Sequence, residues 1–416
     1  MPQNESIDPW RPWAVLGAAT GINMTMGVTY SWSVIKKALV SDWQWTNVEA
    51  SLPLTIYTAI FALAMVFAGR MQDKLGPRPV ANIGGIFMAT GLISCSFTST
   101  PLFMTIAYGI AGIGNGLCYS TTIPASIKWF PPEKKGFATG IVVSGIGLAT
   151  VYISPIANWL IGRYGIPGTF LFLGTGAFLI IITLAQFLRN PPPDYQPKSN
   201  PGLSARPDST EGHPRNEVHW RDMIKTVMFY KLWFIYFFAA SAGLMIIGHI
   251  ATIASAQARW ENGYYLIIFF ALLNTSGRLV AGFLSDLYGR LSILLCVFLL
   301  QAVNLIFFVH YVTPAFLALG AMTTGLCYGA FFALFPLVTA DFFGMKNFGA
   351  NYGLLFLAWG FAGILGPLLA GFAVDKTGTY HMAYLVSAGL LIVSFLLALT
   401  IRSPGRRRSD GFLRMH

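Results

Sequence analysis

Charged residues are scarce in this sequence: they form 10% of its 416 residues, whereas hydrophobic residues form 55%. Soluble domains carry about 25% charged residues, so the composition excludes an ordinary soluble protein. Apolar stretches long enough to cross a bilayer predict an all-α membrane protein with twelve transmembrane helices. The predicted spans are residues 13–36, 50–68, 79–98, 102–126, 137–161, 167–188, 229–256, 262–284, 291–310, 314–340, 350–373 and 381–401.

Residues that commonly carry catalysis or bind metals are also few. The four cysteines, Cys95, Cys118, Cys296 and Cys327, fall inside apolar spans at no spacing typical of a metal site. The sequence has no GxSxG motif, no phosphate-binding loop and no metal-spaced set of His, Cys and acidic residues. We therefore expect no enzyme activity, no metal and no cofactor.

The net charge of +11 is distributed unevenly between the predicted loops. If the N-terminus is cytoplasmic, 21 of the 27 Lys and Arg residues lie in cytoplasmic segments and five lie outside. Basic loops stay on the cytoplasmic side, so this asymmetry predicts a multi-pass protein of the cell membrane with both termini cytoplasmic. Basic clusters such as residues 406–408 are expected to contact anionic lipid of the bilayer rather than nucleic acid.

A long polar stretch, residues 189–225, separates six predicted spans from six. It is rich in Pro, Ser, Asn and charged residues, which cannot form a core and indicate a flexible linker. We therefore divide the chain into an N-terminal six-helix bundle (1–188), a cytoplasmic linker loop (189–228) and a C-terminal six-helix bundle with a basic cytoplasmic tail (229–416).

The two halves contain the same loop motif. Residues 69–78 (GRMQDKLGPR) follow the second span, and residues 282–290 (GFLSDLYGR) follow the eighth. Asp73 and Asp286 are 213 residues apart, and so are Gly165 and Gly378. Matches at one offset predict a structural repeat about an axis along the membrane normal.

This motif resembles the loop motif of the major facilitator superfamily, and the resemblance covers the whole chain. It implies the major facilitator fold, in which two six-helix bundles rock about a central site. We expect Asp73, Arg78, Asp286 and Arg290 to form a conformational latch. Each aspartate accepts hydrogen bonds from a neighbouring helix N-terminus or pairs with a loop arginine, and so holds the halves together on the cytoplasmic side. The alternative is a loop that only turns tightly.

Arg278 stands alone within residues 263–285, whose other members are apolar, small or neutral polar residues. A guanidinium near the middle of a membrane helix costs about 2.5–3.5 kcal/mol on insertion scales, so it needs a wet cavity, a partner or an exchangeable anion. Asn274 lies one turn earlier on the same helical face. Together they suit a carboxylate, because the guanidinium fork can bind both of its oxygens. The alternative is a structural arginine capped by backbone carbonyls or by a fixed acid.

Within that superfamily, the chain is most similar to monocarboxylate transporters and oxalate:formate antiporters. The pair Asn274-x-x-x-Arg278 resembles the Asp-x-x-x-Arg of the eighth helix of monocarboxylate transporters, with Asn in place of Asp. Residues 27–32 (GVTYSW) and 333–336 (ALFP) are similar to antiporter segments in the first and tenth helices. The resemblance implies a bacterial monocarboxylate (L-lactate) transporter homologue.

One departure from the antiporter pattern bears on the substrate. Where oxalate:formate antiporters place a second cation in the eleventh helix, this chain has Trp359. A dicarboxylate in a low-dielectric cavity needs about two compensating charges. One arginine and one tryptophan are therefore expected to suit a single carboxylate with an apolar tail.

Other residues of the predicted substrate site are aromatic or polar. Tyr119 and Tyr328 come from opposite halves and lie near the centres of their spans, where their hydroxyls would donate to the carboxylate. The alternative for both is an aromatic side chain that only fills a helix interface. Further candidates are Asn115, Tyr30, Phe332 and Trp359.

No acidic residue lies in the middle of a predicted span, so proton coupling has no obvious carrier. His249 is a midspan group that titrates near neutral pH, and Asp375 and Lys376 lie together at the outer end of the eleventh span. We treat all three as candidates for proton coupling or gating. The alternatives are a packed core histidine and a solvated helix end.

The predicted function is secondary active transport of small monocarboxylates, L-lactate or pyruvate, by proton symport with alternating access. The partners would be the monocarboxylate anion, the proton and the lipid bilayer, and the protein would be a monomer. The nearest alternative is an organic anion antiporter of the oxalate or formate type. A transporter-like sensor is a further alternative.

Overall fold

Apolar stretches bounded by glycine or proline form most helices of this protein, because an apolar segment in a bilayer must satisfy its backbone hydrogen bonds internally. The computed structural model describes residues 8–46, 48–192, 195–197, 217–260 and 263–401, without the side chains of Tyr30, Thr150 and Tyr264. The helices are α1 Arg11–Met26, α2 Trp32–Asp42, α3 Leu52–Leu75, α4 Pro77–Cys95, α5 Pro101–Ile127, α6 Lys135–Ala185, α7 Trp220–Met223, α8 Val227–Ala258, α9 Tyr264–Tyr288, α10 Arg290–Phe308, α11 Pro314–Phe343, α12 Phe348–Thr377 and α13 His381–Leu399. These described residues form no β-strand.

The prediction of an all-α protein with twelve transmembrane helices is confirmed. Among the described residues, nine helices are long and apolar enough to cross a membrane. One of them, α6, runs through Gly165, whose φ of 68° is not helical, and so contains the fifth and sixth predicted spans. The helix α4 is a further span. The first span consists of α1 and α2 together, since the 3₁₀ segment Gly27–Ser31 interrupts it.

One backbone turn recurs in the two halves. Gly76 ends α3 with a φ of 82° and a ψ of 172°, and Gly289 ends α9 with a φ of 89° and a ψ of 147°. Gly165 and Gly378 share a φ of 68°, but their ψ values of −178° and 3° differ. A positive φ strains residues that carry a Cβ atom, so each pair marks a turn that favours glycine. The internal repeat predicted from sequence is therefore present in the backbone.

Two aspartates join the halves at the face where α1 begins and α13 ends, which we call the terminal face. The Asp73 carboxylate, in α3, accepts hydrogen bonds from the backbone N–H groups of Gly349 (3.1 Å) and Ala350 (2.9 Å) in α12. The Asp286 carboxylate, in α9, accepts two such bonds (2.9 and 2.8 Å) from the first turn of α6. Each carboxylate therefore caps a helix of the other half, where free N–H groups and the helix dipole favour an anion.

Glycine contacts bring the same helices together. A Cβ atom at Gly69 would overlap the Gly349 carbonyl, and one at Gly136 would overlap the Gly282 carbonyl. Small residues of this kind let helix backbones approach closely inside a membrane. The terminal face is therefore closed in this structure, through α3 against α12 and α6 against α9.

Arg290 supports the Asp286 cap. Its guanidinium lies 3.4 Å from Asp286 and 3.3 Å from Asp341, and it donates a hydrogen bond to the Pro132 carbonyl of the other half (3.2 Å). Arg78 is exposed and takes part in none of the ion pairs among the described residues. Both aspartates therefore cap a helix, which is one of the two contacts expected from the sequence. Among the described residues, only Asp286 also forms the other expected contact, an ion pair with a loop arginine.

The described end of the predicted linker also lies on the terminal face. The Glu217 carboxylate accepts hydrogen bonds from the N–H groups of Met345 (3.4 Å) and Lys346 (2.7 Å), between α11 and α12. The Trp220 ring lies 5.8 Å from the Arg70 guanidinium of α3. This segment therefore contacts both halves. Most of the predicted linker (193–194 and 198–216) and the basic tail from residue 402 lie outside the described residues.

Replacing Gly69 by alanine is expected to favour a state with an open terminal face, because the new Cβ would overlap the Gly349 carbonyl. Spin labels on cysteines introduced at the exposed Lys74 and Lys346, in a variant without the native cysteines, would report the distance between the halves. We expect a longer distance in Gly69→Ala than in the parent. Gly17→Ala is the control, since a Cβ at Gly17 meets no atom within 4 Å. An unchanged distance distribution in Gly69→Ala would contradict the tight packing of α3 on α12.

Candidate functional site

Arg278 lies deep inside the protein, where the two halves meet. It is 1% exposed. Its Nε donates a hydrogen bond to Asn274 Oδ1 (3.0 Å), one turn earlier in α9, and its Nη1 donates to the backbone carbonyl of Val143 in α6. The guanidinium also lies over the Phe332 ring of α11, 4.6 Å from the ring centre. The spacing of one helical turn therefore does bring Arg278 and Asn274 together.

Close approach of α6 and α9 places Val143 beside this arginine. A Cβ atom at Gly140 would lie 2.7 Å from the Arg278 carbonyl oxygen. About two turns further along α9, Asp286 caps the first turn of α6. The helices α6 and α9 are therefore joined at two places: at the Asp286 cap and at the hydrogen bond from Arg278 to Val143.

The positive charge of Arg278 has no acidic partner among the described residues. The ion pairs there join Lys225 to Asp222 and Arg290 to Asp286 and Asp341. A backbone carbonyl does cap the guanidinium, as a structural arginine requires, but it supplies no negative charge. Hydrogen bonds to a charged group contribute about 1.5–3 kcal/mol each, whereas burial costs an ion several kcal/mol. The two neutral acceptors leave a site that an anion would stabilise further.

Tyr328, Phe332 and Trp359 form an aromatic wall in the C-terminal half. Trp359 Nε1 donates a hydrogen bond to the Tyr328 hydroxyl (2.8 Å). The Phe332 ring lies 5.3 Å from the Tyr328 ring and 6.2 Å from the Trp359 ring. Because Phe332 also contacts Arg278, this wall borders the guanidinium. Trp359 presents an apolar ring there and adds no second positive charge.

Tyr119, in α5, approaches the site from the N-terminal half. Its ring lies 5.5 Å from Phe356 in α12 and 5.9 Å from Phe61 in α3. Phe61 in turn lies 5.8 Å from Trp359. Tyr119 and Trp359 thus belong to one aromatic cluster that crosses between the halves. Phe61 and Phe356 were not predicted, because two phenylalanines among 33 carry no signal of their position.

Asn115 lies one turn before Tyr119. It is buried, and its Oδ1 makes no hydrogen bond within the described part of the chain. An unpaired buried carbonyl oxygen is costly, so this amide is available to a ligand that donates a hydrogen bond. The Tyr30 side chain lies outside the described residues, and its place in the site stays a prediction.

The three residues predicted for proton coupling or gating lie away from the terminal face. His249 is about 33 Å along α8 from the start of that helix, whereas Arg278 is about 15 Å from the end of α9 at the same face. The His249 ring lies 5.8 Å from the Tyr380 ring. Asp375 and Lys376 are exposed near the end of α12. The structure therefore does not bring these residues to Arg278, and their roles stay predictions.

The polar groups of the site suit an organic anion better than a metal ion. They are a guanidinium, two side-chain amides and tyrosine hydroxyls, whereas a metal site needs carboxylate, imidazole or thiolate ligands. Within the described residues, no group of three His, Cys, Asp or Glu side chains could hold a metal ion. The arrangement can bind one carboxylate at Arg278 and pack an apolar tail against aromatic rings.

Proteins of similar sequence and fold include membrane transporters. The family model for the Major Facilitator Superfamily matches residues 17–276 and 251–414. The oxalate:formate antiporter of Oxalobacter formigenes is 26% identical over 379 residues, which cover 90% of this chain and 87% of that protein. Monocarboxylate transporter 13 of Rattus norvegicus is 23% identical over 402 residues, which cover 94% and 89%. The crystal structure of the human organic anion transporter MFSD10 aligns with a TM-score of 0.71 at 13% identity, covering 93% of this chain and 99% of that one.

Arg278→Gln is expected to leave the unfolding temperature of the ligand-free protein unchanged or to raise it, because it removes a buried charge that no acid compensates. Arg290→Gln removes two ion pairs and a hydrogen bond between the halves, so we expect it to lower that temperature. Thermal unfolding of both variants in detergent measures the difference. An Arg278→Gln protein that unfolded as early as Arg290→Gln would identify Arg278 as a structural residue.

Proposed function

This chain belongs to the Major Facilitator Superfamily, and we propose that it is a secondary active transporter that carries small monocarboxylates, L-lactate or pyruvate, together with a proton by alternating access. The family and the solved structure of similar fold are transporters rather than enzymes. The observation that carries the proposal is the buried Arg278, whose charge has no acidic partner among the described residues.

A carboxylate would complete the arginine site. The guanidinium fork can bind both carboxylate oxygens, and such charge-assisted hydrogen bonds are about twice as strong as neutral ones. An anion at Arg278 would compete with the Val143 carbonyl for the same donor. Since Val143 belongs to the other half, binding would loosen one of the contacts that hold α6 against α9. Occupancy of the site would thereby favour separation of the halves at the terminal face.

The surroundings of Arg278 favour one carboxylate and a short apolar tail. Phe332 and Trp359 offer aromatic surface next to the guanidinium and no further charge. A second carboxylate there would be buried without a cation, which is strongly unfavourable in a low dielectric. The names of the relatives, a monocarboxylate transporter and an oxalate:formate antiporter, support an organic anion as the substrate class.

The terminal face would be the cytoplasmic one. The described basic residues at this face include Arg70, Lys74, Lys128 and Lys346, and cytoplasmic loops of membrane proteins are rich in Lys and Arg. The chain would then be a multi-pass protein of the cell membrane with both termini in the cytoplasm. With its cytoplasmic side closed, this structure would correspond to a state that receives substrate from outside. Release would require Asp73 and Asp286 to leave the helices that they cap.

An organic anion antiporter of the oxalate or formate type is the second candidate. A relative of that name aligns with 90% of this chain. Exchange also needs no proton carrier, and the titratable residues predicted for that role lie apart from Arg278. An exchanger takes up labelled anion only into vesicles that contain unlabelled anion, whereas a symporter responds to a proton gradient. Uptake into vesicles without internal anion, measured with and without a proton gradient, therefore separates the two candidates.

Purified protein in proteoliposomes is expected to accumulate labelled L-lactate when the outside is more acidic, and an uncoupler should collapse the accumulation. Arg278→Gln should lower uptake about 30-fold or more, since loss of one partner of a buried charge pair costs about 2–5 kcal/mol. Arg278→Lys should not restore uptake, because a lysine lacks the bidentate fork. Arg163→Gln, at an exposed arginine, is the matched control and should transport normally.

The same uptake assay can also contradict the proposed function. Uptake at the wild-type rate in Arg278→Gln would refute the substrate site. Accumulation that responds neither to the pH gradient nor to the uncoupler would refute symport and favour exchange. Where the gradient does drive uptake, loss of coupling in His249→Ala would assign the proton to that histidine. Retained coupling would assign it to Asp375, to the substrate or to water at the site.

Trp359→Lys is expected to weaken lactate uptake and to let oxalate compete, because it places a second positive charge near Arg278. Inhibition of labelled lactate uptake by unlabelled oxalate measures the change. Trp359→Phe keeps an aromatic ring without adding charge, so it should exclude oxalate as the parent does. If oxalate competes as well as pyruvate does in the unmodified protein, the argument from charge number is wrong.

A further inference from the structure

Three buried tyrosines from three helices meet next to the candidate site. Tyr119 belongs to α5 in the N-terminal half, whereas Tyr236 in α8 and Tyr352 in α12 belong to the C-terminal half. The hydroxyl of Tyr352 interacts with those of Tyr119 and Tyr236. Neither Tyr236 nor Tyr352 makes a hydroxyl hydrogen bond of normal geometry within the described part of the chain. The hydroxyls of Tyr236 and Tyr352 therefore have hydrogen-bonding capacity that is not fully used within the described part of the chain.

Ring packing fixes the positions of these hydroxyls. The Tyr236 ring stacks on Phe335, with 4.0 Å between centroids. The Tyr352 ring is almost parallel to Phe348, at 5.7 Å and 15°. Because the rings cannot turn away, the hydroxyls are held in place before a ligand arrives, and little ordering remains to oppose binding.

The cluster lies at the depth of Arg278 and packs against the aromatic wall of the site. The Tyr236 and Tyr352 rings lie 6.4 and 5.8 Å from the Phe356 ring, which stacks on Trp359 at 5.1 Å. Tyr236 lies about 14 Å along α8 from the terminal face, and Arg278 lies about 15 Å from that face along α9. A small molecule held by Arg278 therefore has these hydroxyls as its polar neighbours on the side of α8 and α12.

Buried hydroxyls without good partners need an explanation. Leaving such a group unsatisfied costs about 1–3 kcal/mol, and natural proteins retain few of them. A phenol donates one hydrogen bond and accepts others, so it can pair with a ketone oxygen or with an alcohol. A plain aliphatic acid offers neither group beyond its carboxylate.

We propose that Tyr236 and Tyr352 are specificity-determining residues that recognise an oxygen on C2 of the substrate, so that the protein prefers 2-hydroxy and 2-oxo monocarboxylates to unsubstituted acids. This inference rests on the proposed function, because it assumes that Arg278 holds the carboxylate. It goes further by selecting a chemical class among monocarboxylates. L-lactate and pyruvate belong to that class, whereas propionate and butyrate do not.

Competition against labelled L-lactate uptake in proteoliposomes tests this preference with two matched pairs of acids. L-lactate is compared with propionate, and 2-hydroxybutyrate with butyrate, so that each pair differs only at C2. In the wild type, we expect the substituted acid of each pair to inhibit at a concentration about tenfold lower or more. In Tyr236→Phe and in Tyr352→Phe, that ratio should fall about three- to tenfold, the effect of one lost hydrogen bond.

Tyr108→Phe is the matched control for removal of a buried hydroxyl. Tyr108 is as buried as the cluster and its hydroxyl also lacks a normal hydrogen bond within the described residues, but its ring packs against Trp32 and Phe170. The ratio should therefore stay at its wild-type value in this variant. Inhibition by propionate should remain unchanged in the two site variants as well, which shows that they are folded and that Arg278 still binds a carboxylate.

Several results would overturn the inference. Equal inhibition by lactate and propionate in the wild type would do so, and so would a ratio that both site variants retain. A folded Tyr236→Phe or Tyr352→Phe protein that no longer responds to propionate would show that the tyrosine is needed for transport itself. Loss of the proposed function is a separate result, since it would appear as the absence of any Arg278-dependent uptake of a monocarboxylate.

Discussion

A positive charge buried where the two halves meet is the constraint on which the rest of this structure depends. Arg278 bonds to Asn274 in its own half and to the Val143 carbonyl in the other, and neither acceptor neutralises it. In a low-dielectric interior, such a charge is tolerated only if acceptors are held close to it. Gly140 lets α6 pack closely against the Arg278 backbone, and this packing brings one of these acceptors, the Val143 carbonyl, to the guanidinium. The contact between the halves and the hydrogen bonding of Arg278 therefore depend on each other.

This dependence extends to the terminal face through one pair of helices. Asp286 of α9 caps the first turn of α6, and Arg278 of α9 bonds to Val143 further along α6. Separation of the two helices at the terminal face has to break both contacts. Under the proposed function, an anion that took the place of Val143 would remove one of them in advance and so lower the barrier to opening on this side. Between α3 and α12, the Asp73 cap and glycine packing lie at the terminal face, and ring contacts of Phe61 with Phe356 and Trp359 lie deeper. Under the proposed function, the substrate would act most directly through α6 and α9, because Arg278 itself bonds to Val143 of α6.

The fold was predictable because hydropathy and glycine positions are local signals. The pairing of Arg278 with Asn274 was predictable for the same reason, since one helical turn separates them. The break at Gly27–Ser31 was not, because the residue types in it, Gly, Thr, Tyr and Ser, also occur inside unbroken helices of this chain such as α5. Val143 contributes a backbone carbonyl, which every residue has, and Phe61 is one phenylalanine among 33. Such partners come from distant parts of the chain, and only the packing of helices against each other selects them.

Charge balance restricts where a proton can travel under the proposed function. With Asn274 in place of an aspartate, the empty site carries one positive charge, and a bound monocarboxylate reduces it to zero. A proton beside Arg278 would return an uncompensated charge to a buried site, which a low dielectric strongly disfavours. The proton is better placed where water reaches the carrier, and His249 is partly exposed and Asp375 exposed on the side away from the terminal face. An aspartate next to the arginine would let substrate and proton meet at one place. In this chain the candidate proton carriers lie apart from Arg278, so under the proposed function their coupling would have to pass through the movement of the halves.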